Sequence, residues 1–373
     1  MITNLHLKDF KIHSNLDLPL GSLTIITGQN GMGKSSVLQS LLLLRQSYSN
    51  NSINGINLKG DLADLGSVND VECQSCKDGI LNINLSLNDG NSFDCYFSYN
   101  DVENQNDTFI PATNDSPKYV PIENNSLFTK QFQYISAFRL GPQKAYERDT
   151  NIVQYQRQIS KTNGQCEYAI HFLDYYGKRF HCNSALLFEG SDDNTLITQV
   201  ELWMQHISPR VRIYIEPAGQ DFKLKYRFSR EGNMMTEDMY AINVGYGVTY
   251  VLPILVAILS AEPGALILIE NPEAHIHPHA QAELMKLVMR AAKAGIQIII
   301  ETHSDHIMNG ALVAIAQDAT NLDLVKAYYF ERDEHTHTSV ARRLEILKDG
   351  RIAEPPKGFF DQIDIDMRLI MGF

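Results

Sequence analysis

The sequence predicts an α/β fold: a mixed, mostly parallel sheet interrupted by an inserted α+β subdomain. Three observations predict it. The runs Leu23–Thr27, Ala265–Glu270, Ile296–Glu301 and Leu322–Phe330 are almost wholly apolar, as strands covered on both faces must be. The first three are each followed by a helix-like run, at Val37–Leu44, Pro278–Ala294 and Asp305–Ala316, the alternation that parallel sheets need for their crossovers. Between residues 46 and 240 the pattern changes to period-two segments and polar loops, which suits hairpins.

The first strand enters Gly28-Gln29-Asn30-Gly31-Met32-Gly33-Lys34-Ser35-Ser36, which matches the phosphate-binding pattern G-x-x-x-x-G-K-[ST]. A strand before it and an apolar helix after it are the context the pattern requires. In that geometry the N–H groups around Asn30, Gly31, Gly33 and Ser36 face a triphosphate, Lys34 reaches its outer phosphates, and the Ser35 hydroxyl is placed to hold Mg²⁺. ATP and Mg²⁺ are therefore the expected cofactors.

Composition narrows the class. With 44% hydrophobic residues in 373 the chain can build a sizeable core, and its formal charge of −12 argues against a broadly basic nucleic-acid surface, leaving a local basic groove as the route to nucleic acid. The apolar runs are too short or too interrupted to span a bilayer, which needs about 20 residues. Five scattered cysteines without a charged-then-apolar leader point to a reducing cytoplasm. Cys73 and Cys76 have no second pair and read as ordinary thiols.

In chain order, Ile2–Leu20 supplies short strands before the loop. Ile80–Leu87 and Phe93–Tyr99 flank the turn Asn88-Asp89-Gly90-Asn91 as a hairpin. The Asn/Asp-rich stretch near 100–125 reads as a mobile surface loop, and Phe132–Phe138 as a strand. Residues 167–207, with Leu196, Val200, Trp203 and Met204 at helical spacing, read as mainly helical. Val211–Ile215 and Phe222–Phe228 form a further hairpin, and Val248–Leu259 an apolar helix containing Pro253.

Candidate chemistry lies at strand ends. Glu270 closes one apolar strand and Glu273 follows, so Glu270 is expected beside Mg²⁺ and Glu273 as the group that orients or deprotonates water. A second strand ends Glu301-Thr302-His303-Ser304. There His303 is expected to contact the γ-phosphate, while Ser304 or Thr302 caps the next helix. Asn243-Val244-Gly245-Tyr246-Gly247 precedes another apolar helix. One chain has no need of two anion cradles for one nucleotide, so Asn243, Gly245 and Gly247 are expected to cap a nucleotide held by a second copy, head to tail. His275, His277 and His279 alternate, but Pro278 places them in a loop entering a helix, which favours an interface over a metal site.

On these residues the chain resembles the ABC-type ATPase heads of the SMC, RecF and overcoming-lysogenization-defect (OLD) group. The resemblance covers residues 1–45 and about 240 to the end: the phosphate loop, 243–247 as signature loop, 269–278 as Walker B and D-loop, 302–304 as the switch histidine, and a tail, 356–362, like that of stand-alone defence ATPases. It implies an ABC-type head at 1–45 and 240–373 with 46–239 inserted, ATP-driven closure of a homodimer, and an effector protein such as a nuclease or other toxin under its control, plausibly against phage. Gln143, after Arg139, is the candidate Mg²⁺-sensing glutamine; Arg139 alternatively pairs with an acid. Most relatives read Asp-Glu-Pro-Glu where this chain reads Glu270-Asn271-Pro272-Glu273, so either Glu273 is the base or hydrolysis is slow and the protein works as an ATP-bound switch. A DNA-binding repair or recombination ATPase is the alternative class, though the sustained heptads of its long arms are not seen. Asp364-Ile365-Asp366 resembles a nuclease motif, but too little chain surrounds it for an added domain, and no nuclease is expected here.

Overall fold

The computed structural model describes residues 1–49, 52–75, 78–116, 125–230, 234–356, 358–359 and 362–371, with side chains from 366 onward in the last of these segments. Cys76, Lys357, Phe360 and Asp361, and the side chains of Asp364 and Ile365, lie outside the described residues.

Strands β1 (Ile2–Phe10) and β2 (His13–Pro19) form a hairpin, and β3 (Leu23–Gly28) runs through the glycine loop into α1 (Lys34–Ser47). Then come β4 (Gly55–Asn57), α2 (Val68–Val71), the hairpin β5 (Ile80–Leu87) and β6 (Ser92–Ser98), β7 (Phe109–Pro111) and β8 (Phe132–Ile135). Helices α3 (Ala169–Tyr176) and α4 (Leu196–Ile207) precede β9 (Val211–Ala218), β10 (Asp221–Phe228) and β11 (Met239–Tyr240). The last third alternates: α5 (Tyr246–Leu259), β12 (Leu266–Glu270), α6 (Pro278–Lys293), β13 (Gln297–Glu301), α7 (Asp305–Gln317), β14 (Val325–Arg332), β15 (Ser339–Arg343) and α8 (Gln362–Met371).

The central sheet has six strands in the order β15-β14-β3-β13-β12-β8, parallel except for β15. Its apolar runs feed two cores, because successive side chains leave opposite faces. On β12, Ile267 and Ile269 join the core under α5, α6 and α7, while Leu266 and Leu268 join the one under α1 and the amino-terminal sheet. β13 divides likewise, with Ile298 and Ile300 on one side and Ile299 on the other. Burial on both faces is why these strands read as continuous hydrophobic stretches.

Strand pairing crosses the boundary expected at residue 46. β5 and β6 extend the β1–β2 hairpin into a four-stranded antiparallel sheet, β2-β1-β5-β6, and β8 is an edge strand of the central sheet. The segments 80–98 and 132–135 thus belong with the outer thirds of the chain, since their backbone groups are satisfied there. Within 46–239, the three-stranded sheet β11-β10-β9 stands apart from the other sheets. Of the stretch near 100–125, the described residues up to 116 are more ordered than their composition suggests: β7 pairs with β4, Ile110 is fully buried, and Ala112 bridges Phe97; residues 117–124 lie outside the described residues. Residues 167–207 hold two helices, with an irregular segment between α3 and α4 that contains a 3₁₀ turn at Ser184–Leu186. The strand expected over 132–138 stops at Ile135, where pairing with β12 ends.

Candidate functional site at the phosphate loop

Gly28 ends β3 with φ 138°, and a Cβ there would lie 2.3 Å from the Phe330 carbonyl oxygen, so only glycine allows β14 to pack so closely. Gly31 and Gly33 also have positive φ. α1 then begins with Gly33 as cap, no side-chain capping bond and no acid in its first turn. The Ser36 N–H donates to Gly33 O at 3.2 Å, and those of Lys34 and Ser35 before it are left for an outside acceptor.

The loop is braced through its carbonyls. Arg332 Nη2 donates to Gly31 O at 3.1 Å, Ser339 Oγ to Met32 O at 2.6 Å, and His13 Nε2 lies 3.0 Å from Gly33 O. Lys34, 3% exposed, donates to Gln29 O at 2.7 Å. Its burial lowers the ammonium pKa, opposed by the charge of Glu301. Asn30, Gly31, Gly33, Lys34, Ser35, Ser36 and His303 line one open pocket together with Lys11, Ile12, Gln39 and Glu301. The structure thus brings seven of the expected residues into one place.

The acids divide by strand. Ser35 Oγ donates to Glu301 Oε1 at 2.8 Å. Glu270 sits at the same register one strand further on, its oxygens accepting from Tyr134 Oη at 3.0 Å, Ala137 N at 3.1 Å and Ser136 Oγ at 3.4 Å. Burial, and then the neighbouring Glu270 charge, push Glu301 up to about 7, and burial beside Glu270 raises the Tyr134 phenol far above its usual range. Glu273 is half-buried and accepts from Thr302 Oγ1 and His303 N, both at 2.8 Å. Burial and Lys34 hold His303 below its ordinary pKa, so its exposed ring is mostly neutral at neutral pH. Ser304 caps α7, accepting from His306 N and Ile307 N.

Other expected residues lie elsewhere. Gln143 is exposed, bonds through its N–H to Tyr146 Oη, and does not line the pocket. It follows β8, which β12 and β13 separate from β3. Asn243, Gly245 and Gly247 likewise do not line it. Arg139 pairs with no acid among the described residues. It is 1% exposed and donates to the carbonyls of Tyr250, Ser136, Glu270 and Asn271 at 2.9–3.1 Å, locking the turn after β12 to α5. Asn271 has φ 44° and its Oδ1 is buried without a partner among the described residues. His277 Nδ1 accepts from His279 N at the start of α6, and no group of three or more His, Cys, Asp or Glu suited to a metal occurs among the described residues. Sequence reasoning missed Glu301 and His13. Glu301 was legible as a charged residue ending an apolar strand; nothing local marks His13.

A hydroxyl and a carboxylate at the phosphate loop are hard oxygen donors that fit Mg²⁺, which takes only one or two protein carboxylates beside a nucleotide. Glu301 Oε2, buried and without a hydrogen-bond partner among the described residues, is the orphan atom such an ion would satisfy.

Fold and loop together are those of a P-loop ATPase domain. The chain belongs to the family described as "AAA domain, putative AbiEii toxin, Type IV TA system", whose model matches residues 96–309, and residues 321–369 match a family described as a protein of unknown function (DUF3696). It is 22% identical over 383 aligned positions to an OLD nuclease of Thermus scotoductus, covering 92% of this chain; the chain spans 64% of that relative's length. Its fold is similar to an SMC head solved bound to the C-winged helix domain of ScpA, with a TM-score of 0.53, 14% identity, and coverage of 92% of this chain and 98% of that one. Among the described residues no helix is long and apolar enough to cross a membrane.

Proposed function

We propose that this ATPase binds and hydrolyses Mg-ATP as a head-to-tail homodimer and acts in the cytoplasm as a switch on a partner effector, a nuclease or other toxin, in defence against phage. The observation that carries the dimer is the pocket's incompleteness. None of residues 243–247 lines it, yet Gly245 opens α5 without a side-chain cap or an acid in the first turn, beside a Tyr246 that is 59% exposed. A second anion-ready helix end facing outward fits a nucleotide held by another copy.

Lys34 would exchange the Gln29 carbonyl for a phosphate oxygen. Ser35, with a carboxylate ending a strand beside the loop, would hold Mg²⁺, which when bound neutralises charge on the phosphates. Glu273 keeps free lone pairs after its two hydrogen bonds and is the candidate base; His303 would contact the terminal phosphate. Gln143, after the edge strand, is left for a contact made on closure.

Lys34→Ala is expected to lose nucleotide binding. Glu273→Gln is expected to lower turnover about 100-fold or more while keeping ATP binding and an ATP-dependent doubling of mass in light scattering. Unchanged turnover in Glu273→Gln would remove it as base, and a monomer at saturating ATP would remove the dimer.

A further inference from the structure

We infer that Glu301, at the end of β13, is the carboxylate that shares Mg²⁺ with Ser35, and that Glu270 is a positioning residue. The inference rests on the Mg-ATP reading above and names which acid serves it.

Sheet order is the first argument. β13 lies directly beside β3, and β12 lies beyond β13, so their ends stand about 5 Å and 10 Å from the strand that feeds the phosphate loop. Ser35 meets the nearer acid: its hydroxyl is 2.8 Å from Glu301 Oε1. Glu301 lines the pocket with Lys34 and Ser35, and Glu270 does not.

Hydrogen bonding is the second argument, and it is independent of the first. Glu270 is satisfied, with Oε1 held by Tyr134 and Oε2 by the Ala137 N–H and Ser136 hydroxyl. Turning it toward Ser35 would break these bonds and strand a buried phenol and a backbone N–H. Glu301 is 5% exposed and its Oε2 has no hydrogen-bond partner among the described residues. A buried carboxylate oxygen left bare is costly unless a cation or donor is to arrive. The two acids are also register partners on adjacent strands, where like charges repel; a cation at Glu301 relieves that repulsion. Glu270 then fixes the end of β8 against β12 through Tyr134, Ser136 and Ala137.

The test is equilibrium binding of a fluorescent ATP analogue, with EDTA and with Mg²⁺, and paramagnetic resonance of Mn²⁺ added with ATP. Wild type is expected to bind more tightly with metal. Glu301→Gln keeps the Ser35 bond, so it is expected to fold, to retain the EDTA-level affinity, to lose about tenfold or more of the metal-dependent gain, and to leave Mn²⁺ as free as ATP alone does. Glu301→Asp is expected to recover part of the gain and Ser35→Ala to lose it. Glu270→Gln is expected to keep the gain, with any loss confined to melting temperature. A full metal-dependent gain in Glu301→Gln, or its loss in a folded Glu270→Gln, overturns the assignment. A wild-type protein that binds no analogue in either condition overturns the Mg-ATP reading instead.

Discussion

His13 lies fully buried between the phosphate loop and β14, its ring edge-on to Phe330 and its Nε2 against Gly33 O. Burial is the chief cause that lowers its pKa from 6.5 to about 4. In the unfolded chain the same ring titrates near 6.5, so above that pH both states are neutral and its contribution is complete. As pH falls from about 6.5 toward 4, only the unfolded state takes up the proton, and stability declines by up to about 3 kcal/mol. Urea unfolding at pH 7.5 and pH 5 should show this decline, and His13→Phe should flatten it. Equal slopes in the two proteins would show that His13 is not the group responsible. Arg139 is a buried cation instead: burial lowers its pKa, and backbone carbonyls of Tyr250, Ser136, Glu270 and Asn271 accept from its guanidinium.

At the scale of elements, the first turn of α5 is pressed on the turn after β12. A Cβ at Gly247 would come within 2.3 Å of the His275 carbonyl oxygen, whereas one at Gly245 would meet nothing within 4 Å. Tyr246 and Tyr250 pack against the His275 ring, tilted and edge-on respectively, with centroids 5.7 and 4.6 Å away. Gly247→Ala should therefore cost about 1–3 kcal/mol of stability, as overpacking does. Gly245→Ala should leave the stability unchanged to within about half a kcal/mol. Turnover lost in a Gly245→Ala protein of normal stability would place the defect at a surface offered to another molecule. Equal destabilisation by both substitutions would refute this account of how α5 docks.

For the whole molecule, the decisive property is whether a nucleotide site is completed by a second chain. Lys34→Ala spoils the phosphate loop and Gly245→Arg the exposed cradle, so each alone should be nearly inactive. Mixed in equal amounts, they should recover about a quarter of wild-type turnover if the sites are independent: half the dimers are mixed, and each mixed dimer has one intact composite site. No recovery over the time of subunit exchange, in proteins shown by light scattering to dimerise with ATP, would rule out complementation between copies.

By itself the sequence determined what depends on near neighbours. Gly28–Ser36 was legible because a strand, a glycine turn and a helix follow one another within a few residues. The apolar strands were legible because burial on both faces leaves a continuous hydrophobic run. His303 and the Glu270–Glu273 turn were visible as polar residues ending such runs. Tertiary structure alone decided which strand ends meet. It placed β13 between β3 and β12, which sets Glu301 rather than Glu270 against Ser35, and drew β8 from the middle of the chain to the sheet edge, where it holds Glu270. Sheet order arises from pairings between segments up to hundreds of residues apart, and no local spacing encodes it.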